Sequence, residues 1–343
     1  MPDADSRTVV LENHKDKTEK TFVLRPFVYG DEEDVIKCVQ EEYGDTYYRR
    51  EYYDKDLLLE EVKTGRLHLF MAYCGQDVCG IQSMIFYTPE ETRLEAASQI
   101  FRKAYRGYGL AYELVKYTYE YAKKLAPSCI YASTVVFHNL TQSMCEGAGM
   151  TPVAFNLGSH LTSRMKNSFD LGSSEKYAQA ILILPVAKKD LGDVYIHPSI
   201  ADKAASLYGD LGVSYNIISS APADEQTVSG SVLTVSENQR EQSISIKVKT
   251  IGSDLIEKVR DIMSSHSGKY WTIQLILPVS TGSAINAYEK LAGEGFYFMG
   301  VRAACSDTEQ IFMQYTKDVY FNFDEFVLTD RFRKLLKLLG RDK

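Results

Sequence analysis

The chain has 343 residues, 45% hydrophobic and 25% charged, with a formal net charge of −7. That length suits two domains with a sizeable core, and the composition is ordinary for a soluble globular protein. The acidic total argues against a nucleic-acid partner, no apolar run reaches membrane-span length, and Met1-Pro2-Asp3-Ala4-Asp5 lacks a basic-then-apolar signal, so a cytoplasmic protein with no membrane association is expected. The six cysteines (38, 74, 79, 129, 145 and 305) form no CxxC pair and fit reduced thiols. The six histidines show no metal-ligand spacing, so no metal is expected.

Residues 1–20 are polar and read as a ragged terminus with one edge strand at 9–11. A short strand follows at 21–26. Asp31-Glu32-Glu33-Asp34 then starts a helix running to about Tyr43, because acidic side chains suit the positive end of a helix. Strands at 67–74 and 80–87 are joined by the hairpin turn Gly75-Gln76-Asp77. A third strand at 93–102 completes an antiparallel meander. Its alternation puts Leu94, Ala96, Ser98 and Ile100 on one face and Glu95, Ala97, Gln99 and Phe101 on the other. A helix over 109–124, with Leu110, Leu114, Tyr117 and Tyr121 at helical spacing, leads to a strand at 129–136. A helix over 141–147 and a strand from about Pro152 follow.

Between the third strand and its helix stands Arg106-Gly107-Tyr108-Gly109-Leu110-Ala111. A helix start offers unpaired N–H groups and a positive dipole end. Two glycines keep no side chain in an anion's way, and Arg106 adds charge, so a pyrophosphate is the expected guest. A Walker A loop would need a Gly-Lys-Ser/Thr ending, which is absent. A dinucleotide fingerprint would need a third glycine position and an acidic residue after the next strand, and the 129–136 strand has none. A plain glycine turn before a helix is the remaining alternative.

The stretch from Arg106 to Ala111 resembles the Arg/Gln-x-x-Gly-x-Gly/Ala signature of the GCN5-related N-acetyltransferases, and the resemblance runs from about Thr21 to about Gly158. It implies an α+β acyl-CoA N-acyltransferase fold: a mixed, mostly antiparallel sheet flanked by helices. In that family the turn holds the pyrophosphate of acetyl-CoA, the co-substrate expected here. The strands matching 93–102 and 129–136 splay apart, and the pantetheine arm pairs with backbone just before the turn. Carried over, those groups belong to Ile100, Phe101 and Arg102, with Gln142 near the cofactor. The region of Tyr43, Tyr47, Tyr48, Tyr52 and Tyr53 lines the acceptor pocket in the family. A tyrosine's flat body and polar tip suit a small polar acceptor, although 43/47 and 48/52 are also at the spacing of rings packed on one helix.

Amine acetylation needs a base for the amine, an acid for the leaving thiolate and donors near the thioester carbonyl. Glu95, read as sharing a strand face with Phe101, matches the glutamate that several relatives use as base; a charged strand end is the alternative. His138 falls where many relatives have a cofactor-contacting asparagine, and it is a candidate contact or base. A helix-capping or packing role is equally open to it. Many relatives have a tyrosine acid seven positions later, where this chain has Cys145. Glu41, Glu42, Asp45 and Glu95 put carboxylates near the tyrosines to attract a cationic amine, and Arg49 and Arg50 are placed to meet a carboxylate on the same molecule.

Residues 185–192 read as a linker between an acetyltransferase domain at 21–184 and a second domain at 193–343. In the second half a helix is expected at 198–211, strands at 228–235, 242–250 and 271–277, a helix around 255–263, and strands at 296–303 and 309–317. Tyr288-Glu289-Lys290-Leu291 followed by Gly295-Phe296 resembles the closing segment of an acetyltransferase domain, where the first half has Gly149-Met150. The chain therefore resembles a tandem whose second copy is degenerate, because residues 248–254 offer only Gly252 in place of the turn; an unrelated α+β domain is the alternative. With Tyr43-Gly44-Asp45-Thr46-Tyr47 and His138 to Gln142, the pattern resembles bacterial acetyltransferases found alongside regulatory kinases of the anti-sigma type, which implies a possible regulatory protein partner. The expectation is transfer of an acetyl group to a small-molecule amine; the rival is a non-catalytic acyl-CoA-sensing or partner-binding protein.

Overall fold

The computed structural model describes residues 5–45, 47, 49–88, 91–164, 172–187, 192–220, 228–266, 271–302 and 309–341. The chain divides into two compact units, Met1–Ala132 and Ser133–Lys343.

The first unit contains β1 (Arg7–Glu12), β2 (Glu19–Pro26), α1 (Glu32–Tyr43), α2 (Lys55–Lys63), β3 (Leu67–Cys74), β4 (Asp77–Ile85), β5 (Arg93–Phe101), α3 (Leu110–Ala122) and most of β6 (Cys129–Val135). The strands lie in chain order. Every neighbouring pair is antiparallel except β5 and β6, which α3 joins as a parallel crossover. One sheet face is buried under α1 and α2 by Val35, Val39, Leu58, Leu69, Met71, Ile81, Ile85 and Ile100. On the other face Phe70 meets Tyr117 and Tyr121 of α3 edge-on.

The N-terminal stretch read as ragged forms a full hairpin instead. β1 pairs with β2 from Arg7↔Leu24 to Glu12↔Glu19. Helix α2 was given no limits from the sequence. Its signal was present: Asp54 caps it, accepting from the Asp56 and Leu57 amides at 2.9 and 3.1 Å, and Leu58 is its buried anchor. At the start of α1, buried Asp31 accepts from Arg25 at 2.6 and 2.8 Å, the Val28 amide at 2.9 Å and the Tyr73 hydroxyl at 3.0 Å. Burial opposes its charge, but these donors outweigh burial and lower its pKa.

β5 does not alternate without interruption. Ile85 pairs with Glu95 and Ser83 with Ala97, but Ile81 pairs with Ile100, so the strand carries one extra residue. The bulge centres on Ser98, whose φ is 50°. It flips the parity beyond it: Glu95, Ala97 and Ile100 face α1 and α2, and Phe101 faces the opposite side. The expected shared face of Glu95 and Phe101 is therefore corrected. Gly80, opposite Phe101, must lack a side chain, because a Cβ there would collide with the Phe101 ring.

The second unit contains α4 (Leu140–Gly147), β7 (Thr151–Leu161), β8 (Lys176–Pro185), β9 (Asp193–Tyr195), α5 (Pro198–Leu211), β10 (Asn216–Ile218), β11 (Val232–Asn238), β12 (Ser243–Thr250), α6 (Leu255–Ser265), β13 (Thr272–Pro278), α7 (Ser283–Gly293), β14 (Tyr297–Val301), β15 (Gln310–Tyr315) and α8 (Asp330–Leu339). Its main sheet runs β8-β7-β14-β15-β13-β12-β11, and β9 pairs with β10 separately. The succession β12, α6, β13, α7, β14, β15 repeats β5, α3, β6, α4, β7, β8. In both, a helix links two parallel strands and a hairpin closes the series. The overall class is α+β, with mixed, mostly antiparallel pairing.

The division between the compact units falls within β6, and the segment read as a linker at 185–192 lies in the second of them. The cause lies in pairing: β7 joins β14 at Ala154↔Gly300, so the closing hairpin of the first series belongs to the second unit. Gly300 has φ 132°, and a Cβ there would strike the Val153 carbonyl. Of the residues read as linker, 188–191 lie outside the described residues.

Candidate functional site

β5 and β6 pair only from Arg93↔Cys129 to Glu95↔Tyr131. Beyond Glu95, β5 has no strand partner on that side among the described residues. The chain then makes a short 3-10 turn, Lys103–Tyr105, and passes through Gly107 (φ 92°) and Gly109 (φ 73°) into α3. Tyr112 and Glu113 donate to the Gly109 carbonyl at 3.1 and 3.3 Å. Among the described residues nothing accepts from the amides of Gly107, Tyr108, Gly109, Leu110 and Ala111. Consecutive unclaimed N–H groups at a helix start form an anion cradle.

The side chain of Arg106 folds back from this cradle. Its Nη2 and Nε donate to the Phe101 carbonyl at 2.9 and 3.2 Å, and Nη2 also meets Glu42 at 2.5 Å. Arg102 pairs with Glu41 at 2.6 Å and donates from Nη1 to the Val78 carbonyl at 2.8 Å. Its amide donates to the Cys79 carbonyl at 3.0 Å. Two of the backbone groups expected to pair with pantetheine, the Phe101 carbonyl and the Arg102 amide, are thus used within the chain. Ile100 lies buried under α1 and α2.

Sequence reasoning missed the tip of the β1–β2 hairpin, which reaches the turn. The His14 amide donates to the Gly107 carbonyl at 3.0 Å, and Asn13 Nδ2 donates to the Arg106 carbonyl at 3.4 Å. Thr18 and Tyr108 share a hydroxyl hydrogen bond at 2.8 Å. These contacts take the carbonyls of the turn and leave its amides facing elsewhere. The signal was the run Asn13-His14-Lys15-Asp16, polar turn formers between two alternating segments.

The α-helix of the tyrosine region ends at Tyr43, and Tyr52 and Tyr53 lie in a separate 3-10 turn, Arg50–Tyr53. Gly44 (φ 55°) ends α1, so the helical 43/47 spacing is corrected, although the two rings still meet at 4.7 Å. Tyr47 stacks on Tyr52 at 5.9 Å, and its hydroxyl donates to Ser98 Oγ at the β5 bulge at 3.0 Å. Tyr53 donates to the Gly44 carbonyl at 2.7 Å. Tyr48 lies outside the described residues.

Glu95 sits at the edge of this region with 14% of its side chain exposed. The Tyr87 hydroxyl hydrogen-bonds to it, and Arg49 Nη2 lies 3.7 Å from its carboxylate. Loss of water around the phenol, then the Glu95 carboxylate, push the Tyr87 pKa up, so Tyr87 is the donor. Arg49 also donates to Tyr87 at 2.8 Å and Glu51 at 3.2 Å, and Arg50 donates to the Asp45 carbonyl at 3.2 Å. Glu41, Glu42 and Glu95 thus all stand in ion pairs. The expected acidic field is largely neutralised, and Arg49 and Arg50 are engaged within the chain.

His138, Gln142 and Cys145 belong to the second unit. Gln142 is fully buried and ties α4 to the segment before α8. Its Nε2 reaches the Val135, His138 and Val327 carbonyls at 2.8, 3.3 and 3.1 Å, and its Oε1 accepts from the Thr329 amide at 3.1 Å. With its amide so occupied, its role there is structural. Cys145 is 3% exposed. The Nδ1 atom of His138 is buried without a hydrogen-bond partner among the described residues, and burial lowers the ring's pKa, so it is neutral at pH 7.

The second series has a different turn. Between β12 and α6 the Gly252 amide donates to Ser231 Oγ at 2.9 Å, and the Ser253 amide to the Val228 carbonyl at 2.9 Å. Asp254 accepts from the Ser231 amide at 2.6 Å and Lys258 at 2.8 Å. A Cβ on Gly252 would collide with the 230–231 backbone. The position of the anion cradle is filled by the chain itself and carries a carboxylate.

No family model and no curated protein sequence matches the chain. Among solved structures, about half of it is similar to a Salmonella typhimurium protein assigned as an acetyltransferase and bound to its cofactor acetyl-CoA. That match has 12% identity, covers 49% of this chain and 95% of the other, and has a TM-score of 0.40. A spermidine N-acetyltransferase variant from Vibrio cholerae matches at 16% identity over 48% of this chain and 94% of its own, TM-score 0.40. An N-acetyltransferase from Staphylococcus aureus matches at 9% identity over 48% and 97%, TM-score 0.37. Among the described residues no helix is long and apolar enough to cross a membrane.

Proposed function

We propose that the chain is an acyl-CoA-dependent N-acyltransferase, transferring an acetyl group from acetyl-CoA to the amine of a small-molecule or amino-acid-like acceptor. The observation that carries this is the row of unclaimed amides from Gly107 to Ala111, at the head of a crossover helix and just past the point where β5 and β6 part. A dianionic pyrophosphate suits such a row, and the separated strands leave β5 backbone to pair with an extended arm.

In this reading Glu95 removes the proton from the bound amine, directly or through water, and the neutral amine attacks the thioester carbonyl in a ternary complex. Tyr87 and Arg49 hold the Glu95 carboxylate in place. The collapsing intermediate expels the thiolate of coenzyme A, which takes a proton from solvent or from a chain acid, for which Cys145 is the candidate at the family's position. The second series contributes no cofactor site, because its turn is self-filled. Two observations favour the rival, a non-catalytic acyl-CoA-binding regulator: Glu95 is ion-paired and Cys145 is buried.

Calorimetric titration with acetyl-CoA tests the site, and thiol release over a panel of amines tests the chemistry. Micromolar binding with release supports the enzyme. Binding without release over a broad panel supports the regulator. Absence of binding removes both.

A further inference from the structure

Arg93 opens β5 two residues before Glu95, on the face covered by α1 and α2. Residues two apart on a strand share a face and stand about 7 Å apart. The parallel register sets Arg93 beside Cys129 and Glu95 beside Tyr131. The Arg93 guanidinium lies over the Tyr131 ring at 4.4 Å. The residue is only 4% exposed; its guanidinium hydrogen-bonds the Cys129 thiol beside it, yet among the described residues its Nε and Nη1 have no hydrogen-bond acceptor.

That is an unusual state for a buried cation. Cation–π attraction contributes on the order of 1–2 kcal/mol. Each orphaned donor on a buried charged group costs roughly as much or more. Native chains rarely leave such donors without a partner or a role. The nearby arginines differ. Arg49 is spread over Glu51, Tyr87 and Glu95, and Arg50 reaches the Asp45 carbonyl. Among the described residues, Arg93 has two buried donors, Nε and Nη1, to spare. Its planar fork matches a carboxylate through two parallel hydrogen bonds.

We propose that Arg93 anchors a carboxylate of the acceptor, so that the substrates are amines that also carry a carboxylate group. The inference rests on the acyltransferase reading of the same site. It assigns the two ends of the acceptor to two residues of one strand face: the amine to Glu95 and the carboxylate to Arg93. Tyr131, beside Glu95 in the sheet and under the Arg93 guanidinium, supplies a flat wall to the acceptor's apolar part.

The test uses the full chain, acetyl-CoA and acceptors in pairs that differ only at the carboxyl group: glycine and glycinamide, β-alanine and its amide, phenylalanine and its amide. Thiol release should show KM for the acids lower by about tenfold or more, as a charge-assisted bidentate contact requires. In Arg93→Leu the acid–amide gap in KM should collapse, the KM of the acids rising to that of the amides, with acetyl-CoA affinity as the control for an intact cofactor site. Arg93→Lys should keep part of the gap, and it decides the matter if the leucine variant does not fold. Equal KM for acids and amides in the wild-type chain overturns the proposal, and so does a gap that survives in Arg93→Leu. Turnover of amides alone removes this inference and leaves the acyltransferase reading standing; absence of acetyl-CoA binding removes both.

Discussion

Lys176 opens β8 with no exposed surface. Its Nζ donates to the Gln242 carbonyl and to Thr272 Oγ1, each at 2.9 Å. Burial, opposed by the Glu241 charge, lowers its pKa from 10.5 to about 7. Above pH 10.5 the lysine is neutral in folded and unfolded chains alike and has no effect. Between pH 10.5 and 7 the unfolded chain binds a proton that the folded chain refuses, so stability falls as pH falls. The full penalty, roughly 5 kcal/mol from 1.36 kcal/mol per unit, is reached near pH 7. From pH 9.5 down to 7.5 the loss is roughly 2–3 kcal/mol. Lys176→Met removes this dependence and adds a pH-independent cost for the two acceptors it deserts, about 1–3 kcal/mol. The assay is urea unfolding at both pH values, followed by the fluorescence of Trp271, the chain's single tryptophan, which stands next to Thr272. The stability of Lys176→Met relative to wild type should rise by roughly 2–3 kcal/mol on going from pH 9.5 to 7.5. A difference that stays constant to within about 0.5 kcal/mol would show that the buried ammonium keeps its charge, and would refute the argument.

Arg106→Glu should weaken acetyl-CoA binding about tenfold to a hundredfold by calorimetry, because it sets a carboxylate against the anion at the helix start. Glu42→Gln should tighten binding a few fold, since the guanidinium that Glu42 holds at 2.5 Å is released; unchanged affinity in both variants would remove Arg106 from the site. Glu95→Gln should lower turnover most at low pH, where less free amine is available, and leave acetyl-CoA affinity alone; full turnover across pH would move the base to His138 or water. Titration should give one acetyl-CoA per chain, and a stoichiometry of two would contradict the self-filled turn at 252–254.

The readable parts of this chain were those set by local chemistry. Strand β3 and helix α5 coincide with their expected limits, because apolar runs between turn formers and a Pro198 start leave little choice. The glycine turn was legible because no other residue type accepts φ near 92° and 73° so readily. The bulge was not legible: Ala97, Ser98 and Gln99 carry too little contrast in polarity to mark a change of face, and the extra residue is fixed by pairing with Gln82 and its neighbours. Helix α8 was legible and went unread. Thr329 caps it, and Phe332, Leu335, Leu336 and Leu339 recur at helical spacing. The pairing of Glu95 with Arg49 lay beyond sequence, since 46 positions separate them and only the fold brings the charges to 3.7 Å.

The two series in this chain use one crossover for opposite ends. A helix that starts after a strand always presents amides that need acceptors. In the first series the hairpin takes the turn's carbonyls, the glycines remove the side chains, and the amides of 107–111 have no acceptor among the described residues. In the second, Ser231 and Val228 supply acceptors from the same chain, and Asp254 puts a negative charge at the helix start where a phosphate would have to sit. The strands follow suit. β5 and β6 keep three paired positions, while β12 and β13 keep five, from Ser243↔Thr272 to Lys247↔Ile276. Each extra ladder position closes backbone that an extended ligand arm would need. Opening the second turn would expose amides and strip Asp254 of two donors at once, so its closed state is self-consistent, and reversing it takes more than restoring a glycine.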